Sequence, residues 1–328
     1  VSNYLRLPGK FGRKPADLSR PHLRLTAHLR PEAVSLPPNP VVVDWLSLVA
    51  EWPMFLNDQL GCCTCAMIAH ACEAYSTYGQ GVEDSITDND VLTAYEAVGG
   101  YVPGDPSTDG GAVIQDVLSY WRRTGIGGHK IAAFARVDHT NLDEVRAAVN
   151  VFGALLIGVN LPAIAQEQFA NGQPWDVVAY DGGIEGGHAV HGGAYDENTK
   201  TFTVTTWGQT QKVTEAWWLH YVEECWVAIS PEWLSAAGLS PEGIDLYGLG
   251  EDLARITGKP NPFPRPNPEP IPGPAPTPTP VPPGPPVVDP DQALAVAART
   301  WLNAGPHHSR ADRHLAGELH AWLAETGL

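Results

Sequence analysis

The chain has 328 residues, 43% of them hydrophobic and 17% charged, with a formal net charge of −17; this is the composition of a folded globular protein with room for one sizeable core and appendages. The charge is uneven: residues 1–31 carry seven basic side chains against a single acid, Asp17, so the remainder is strongly acidic. An acidic body excludes a phosphate-binding surface for nucleic acid everywhere but the basic arm, and the arm is expected either to pack along its own acidic body or to bind nucleic acid or an acidic partner.

In chain order, residues 1–40 read as a basic, proline-punctuated, extended arm, with no apolar run of the kind a signal peptide requires. The main domain begins near residue 41 and runs to 258. Ala66–Tyr78 is predicted helical, with Met67, Ile68, Ala71 and Tyr75 at helical spacing and Gly79 and Gly81 to end it. Further helices are predicted at Ala112–Trp121 and at Leu142–Asn150, where Asn141 serves as cap. The texture then changes to short β-branched or aromatic runs: Val151–Val159, Gly187–Tyr195, Phe202–Trp207 and Glu224–Ile229. Helices first and strands later predict an α+β domain. Beyond a short helix at Gly250–Thr257, residues 259–290 hold many of the 31 prolines and read as a polyproline II spacer. Residues 291–328 read as a helical hairpin too small to stand alone, suited to docking on a partner or on a second copy of the chain.

No apolar stretch reaches the ~18 residues of a membrane-spanning helix. Five cysteines, four of them between Cys62 and Cys72, do not make the even, spread framework of a secreted disulfide scaffold. A reducing compartment, or a virus particle assembled in one, is the expected setting, so the chain is read as cytoplasmic or virion-associated.

The chemistry concentrates where the first long helix starts. Nucleophilic thiol catalysis needs a thiolate favoured near neutral pH, and a helix N-terminus supplies positive potential and free amide groups. Cys65 stands immediately before the predicted helix, Gln59 six residues upstream offers an amide donor for an oxyanion, and His188, in Gly186-Gly187-His188-Ala189-Val190, offers an imidazole from a distant strand.

Asn57-Asp58-Gln59-Leu60-Gly61-Cys62-Cys63-Thr64-Cys65-Ala66 resembles the nucleophile loop of the papain-like cysteine peptidases. Val43-Asp44-Trp45 is similar to that family's N-terminal segment, Asp109-Gly110-Gly111 to its double-glycine turn, Gly187-His188-Ala189-Val190 to its histidine strand and Trp207-Gly208 to the turn that follows. The resemblance covers residues 41–233 and implies a papain-like fold, with a helical and an antiparallel β subdomain. It also implies a thiol hydrolase acting on peptides or proteins, with Cys65 as nucleophile, His188 as base, Gln59 as oxyanion donor and no cofactor or metal. The family's orienting asparagine, two positions before the tryptophan, is here Thr205. The partner position for Cys62 in the disulfide of secreted members is Thr108, and forty residues of arm are short for a propeptide.

Other readings remain. Cys62-x-x-Cys65 with His70 and Cys72 suggests zinc or redox chemistry, but all four come from one local stretch, where a structural zinc site draws on separated pairs. His188 and His191, three apart on a strand, face opposite sides, which leaves His191 to packing or surface. The alternative to an enzyme is a papain-fold binding module, for example a bacteriophage virion component that uses residues 1–40 and 291–328 as contacts; a peptidoglycan-cutting lysin ranks below both.

Overall fold

Two short strands open the described part of the arm, β1 (Arg13–Lys14) and β2 (Leu23–Arg24), and β3 (Val42–Asp44) begins the domain proper. The first long helix, α1 (Cys63–Gln80), starts three residues before the predicted boundary, because Cys62 rather than Cys65 occupies the N-cap; it ends where Gly81 turns left-handed at φ +70°. Helix α2 (Asp88–Gly99) was not legible from periodicity; its start is set by a capping box, in which Thr87 accepts from the Asp90 N–H and Asp90 accepts from the Thr87 N–H. Then come β4 (Ala112–Val113), α3 (Ile114–Arg123), β5 (Ala133–Val137) and α4 (Leu142–Phe152), whose N-cap Asn141 accepts from the Glu144 N–H as expected.

Val151 and Phe152 belong to the end of α4 and not to a strand. Gly153, at φ +72°, closes that helix, and β6 (Leu155–Pro162) begins only after it. Helix α5 (Ala163–Ala170), β7 (Ile184–Asp196), β8 (Thr201–Thr206), β9 (Gln209–Thr214), α6 (Glu215–Tyr221) and β10 (Val222–Ile229) complete the described elements.

This computed structural model describes residues 9–27, 39–81, 86–230 and 233. The proposed linker at 259–290, the C-terminal hairpin at 291–328 and the short helix near residue 250 lie outside the described residues.

One sheet runs in the order β2-β5-β10-β6-β7-β8-β9, with β3 added beside β7, and β1 pairs separately with β4. Apart from the β2–β5 and β1–β4 contacts its ladders are antiparallel. The domain is therefore α+β, as expected. Two apolar cores sit on either side of the long strand β7. Val190 joins the sheet-side core with Trp175, Trp217 and Trp218, while its neighbour Ala189 joins the helix-side core with α1, α2 and α3. Because side chains alternate along a strand, β7 faces both halves, and the N-terminus of α1 meets it where they join.

Candidate active site

The loop before α1 is bent by two left-handed residues, Phe55 (φ 50°) and Leu56 (φ 61°). Asn57 is buried in that bend; its side-chain amide donates to the carbonyls of Leu60 (3.1 Å) and Lys10 (3.1 Å). Asp109 ties the loop to the double-glycine turn: it accepts from the Gly61 N–H (2.9 Å) and the Tyr95 hydroxyl (2.6 Å), and that hydroxyl accepts from the Gly111 N–H (2.9 Å). Gly111 sits at φ +73°, a conformation that suits glycine.

Cys63 is the first residue of α1, directly at the positive end of the helix. Burial pushes its thiol up to about 11, against the smaller, lowering influence of the nearby Ala189, Gly12 and Thr64 backbone and of the Arg13 cation. Cys65, the expected nucleophile, lies two residues further along, fully buried in the helix-side core, with the Thr64 hydroxyl and Cys63 as polar neighbours; burial pushes its thiol up to about 12. Positions i and i+2 of a helix point about 200° apart, so Cys63 and Cys65 cannot both face β7. The cysteine brought against the histidine strand is Cys63.

His188 is buried on β7, opposite Val159 of β6. Its Nε2 is 2.8 Å from the Thr206 hydroxyl, and its Nδ1 has no hydrogen-bond partner among the described residues. The indole of Trp207 stacks on the imidazole at 4.7 Å and 26°. Burial, reinforced by the Arg13 charge, lowers the imidazole to about 3.

Thr205 does not orient this histidine. It pairs with His191 across β7 and β8, and its buried hydroxyl finds no partner among the described residues. Strand alternation explains the exchange: Thr205 shares the face of His191, and Thr206 shares the face of His188. His191 itself is a packing residue, buried beside Trp52 (5.8 Å), and neither ring nitrogen has a hydrogen-bond partner among the described residues. Gln59, the expected oxyanion donor, is solvent-exposed in the turn before α1. Among the described residues no group of three or more His, Cys, Asp or Glu side chains converges as a metal site, and the five cysteines are buried thiols not joined in disulfides.

The arm occupies the cleft. The Lys10 N–H donates to the Asn57 carbonyl (2.7 Å), the Gly12 N–H to the Gly187 carbonyl (3.2 Å), and the Ala112 N–H to the Gly12 carbonyl (2.8 Å). Phe11 packs its ring edge-on to His188 at 6.0 Å. Gly12 is squeezed between backbones: a Cβ there would lie 1.7 Å from the Gly61 oxygen. Arg13 then turns into the sheet and pairs with Glu224 (2.9 Å) and Glu223 (2.8 Å). The arm thus packs on its own acidic body, one of the two fates its charge allowed.

The fold is similar to that of the papain-like cysteine proteases. The structure of xylellain, a cysteine protease from Xylella fastidiosa, aligns with a TM-score of 0.53 at 16% identity over 70% of this chain and 99% of that one. Procathepsin B S9 from Trypanosoma congolense aligns at a TM-score of 0.48 and 14% identity, over 67% of this chain and 86% of that one. Procathepsin L 3 from Tenebrio molitor larval midgut aligns at 0.44 and 14%, over 63% of this chain and 76% of that one. No protein-family model and no curated protein matches the sequence. The likeness establishes the papain-like fold.

Of the residues missed from sequence, Arg13 alone left a signal, its charge complement in the acidic Glu223-Glu224; the start of α1 carries none, because Cys62 makes no side-chain cap hydrogen bond, and Thr206 follows only from the β7–β8 register.

Proposed function

We propose that the chain is a thiol hydrolase that cleaves peptide bonds, with Cys63 as nucleophile, His188 as base and Thr206 as the group that positions the imidazole. One observation carries this reading: Cys63 opens α1 close to the Ala189 backbone of β7, and the preceding residue of that strand is a histidine whose Nε2 is held by Thr206 and whose Nδ1 has no partner among the described residues. In the reaction His188 takes the thiol proton on Nδ1 as Cys63 Sγ adds to the substrate carbonyl. The proton then passes to the leaving amine, and water, deprotonated by the same nitrogen, releases the acid from the thioester. With the nucleophile at Cys63, the residue six positions upstream is Asn57, and its buried amide and the Cys63 N–H are the oxyanion donors. In the present arrangement that amide is occupied by the Lys10 carbonyl.

The arm makes this a closed state. A thiol held near 11 and an imidazole held near 3 are both neutral at pH 7, whereas the reaction needs thiolate. Turnover therefore requires the arm to withdraw. The test is hydrolysis of a mixed fluorogenic peptide library by the Gly12→Val variant, alone and combined with Cys63→Ala or Cys65→Ala. Activity lost with Cys63→Ala and kept with Cys65→Ala is expected; the reverse overturns the assignment.

The full occupation of the cleft also favours a second reading, a papain-fold module that binds without cutting, such as a bacteriophage virion component. On that reading the arm is a permanent part of the fold, and Gly12→Val gives neither peptide turnover nor faster alkylation of Cys63.

Among the described residues no helix is long and apolar enough to cross a membrane. A peptide or protein is the substrate on the first reading. The partners proposed for residues 1–40 and 291–328 are a virion or a second copy of the chain, and nucleic acid is left only to the arm.

A further inference from the structure

Arg13 enters a built pocket. Its Nη1 donates to Glu224 Oε1 (2.9 Å), and its Nη2 donates to Glu223 Oε2 and Asn160 Oδ1 (both 2.8 Å). The side chains of Arg13 and Glu224 are each only 1% exposed. The second oxygen of Glu224 is fixed by the Trp226 indole N–H at 2.8 Å, and Asn160 contacts Glu223 at the rim. Two glycines make the space: a Cβ on Gly158 would meet the Arg13 Cδ at 2.7 Å, and one on Gly187 the Arg13 carbonyl at 2.3 Å.

We infer that this pocket is a specificity subsite that takes an arginine side chain of the peptide bound across Cys63, and that Arg13 fills it in the closed state. The inference rests on the reading of the cleft as a peptide-binding site. Its occupant is seated next to Gly12, whose N–H donates to the Gly187 carbonyl immediately before His188, so the pocket lies one residue along from the proposed reacting pair. The pocket and the arm are also separable. Glu224 belongs to β10, Gly158 and Asn160 to β6, and Gly187 to β7, all in the large sheet. Arg13 and Lys14 form a strand ladder with the short β4, outside the large sheet. Withdrawal of the arm leaves the walls standing, with a buried carboxylate whose one remaining neutral donor among the described residues is the Trp226 indole. Such a group demands a cation, and the spread of acceptors over two carboxylates and one amide matches the planar fork of a guanidinium better than the point charge of a lysine.

The experiment uses the full chain carrying Gly12→Val and Arg13→Ala, which empties the pocket, and Cys63→Ala, which prevents turnover. A fluorescent peptide with the sequence of residues 9–16 is titrated by anisotropy beside versions with citrulline or lysine at the arginine. The arginine peptide is expected to bind at least tenfold tighter than the citrulline peptide, with lysine between them. The ratio should fall to near one when Glu224→Gln is added, and in part with Asn160→Leu, a change at the rim that leaves the buried carboxylate in place should the glutamine variant fail to fold. Equal binding of arginine and citrulline peptides, or no binding of either, overturns the inference. The two proposals fail separately. With Cys63 restored, discrimination in binding but no cleavage of any peptide removes the hydrolase reading and keeps the pocket. Cleavage with equal kcat/KM for arginine and citrulline peptides does the opposite.

Discussion

Gly12→Val is the sharpest perturbation of this molecule. The added Cβ would sit 1.7 Å from the Gly61 oxygen and 2.4 Å from its carbonyl carbon, a backbone overlap that no rotamer relieves, so the arm must leave the cleft. Departure lets water reach Cys63 and removes the Arg13 cation from beside His188. The thiol, now held at about 11 by burial, then relaxes toward the range of roughly 3.5–7.5 found for cysteines at helix N-termini near an imidazole. A fall to about 7 raises the thiolate fraction at pH 7.5 by on the order of 10³, while the lower basicity weakens each thiolate by on the order of 10², for a Brønsted slope of about 0.45. The net gain is at least about tenfold in alkylation rate, before any gain from access. The assay is iodoacetamide labelling at pH 7.5 with the adduct mapped by mass spectrometry, on the wild type, Gly12→Val, and Gly12→Val with His188→Ala. Expected are fast labelling of Cys63 in the variant and its loss when the imidazole is removed. If Gly12→Val labels no faster than the wild type, or if the adduct sits on Cys65 or Cys62, the argument for a closed Cys63–His188 pair is refuted.

Three further outcomes follow from the same geometry. In the Gly12→Val background, Thr206→Val removes the hydroxyl that holds His188 and should cut kcat by about tenfold or more as the imidazole loses its orientation, whereas Thr205→Val removes a buried, unpartnered hydroxyl and should leave kcat unchanged and raise stability by up to ~1 kcal/mol; equal effects of the two in kcat and thermal-melt measurements would contradict the strand-face assignment. Asn57→Ala should lower kcat by about 10² to 10³ with little change in KM, and a loss confined to KM would remove it from the oxyanion hole. Buried His70 is held at about 4 and His191 at about 3 against an ordinary 6.5, so below pH 6.5 the unfolded chain binds protons that the folded chain does not. Stability therefore falls as pH drops from 6.5 towards 3, by about 2 kcal/mol per histidine at pH 5. Urea melts of His191→Phe between pH 7 and pH 5 should show a shallower decline than the wild type, and parallel curves would show that this histidine is not held neutral.

The sequence by itself determined the fold class, the long helix after the cysteine cluster, the histidine strand and the acidic body that draws in a basic arm. These are properties of local spacing and of composition: apolar periodicity places α1, glycine-flanked β-branched runs place β7, β8 and β10, and unequal charge attracts at any separation. The beginning of α1 and the partner of His188 were decided elsewhere. Which of two cysteines faces β7 depends on the rotation of a helix about its axis, and a shift of two residues turns a side chain from the cleft into the core. Which of two threonines holds the imidazole depends on the pairing of β8 with β7, where one residue reverses the face. The closing of the cleft belongs wholly to the tertiary structure, because Gly12 has a place there only when Gly61, Gly111 and Gly187 are brought around it from three distant loops and strands.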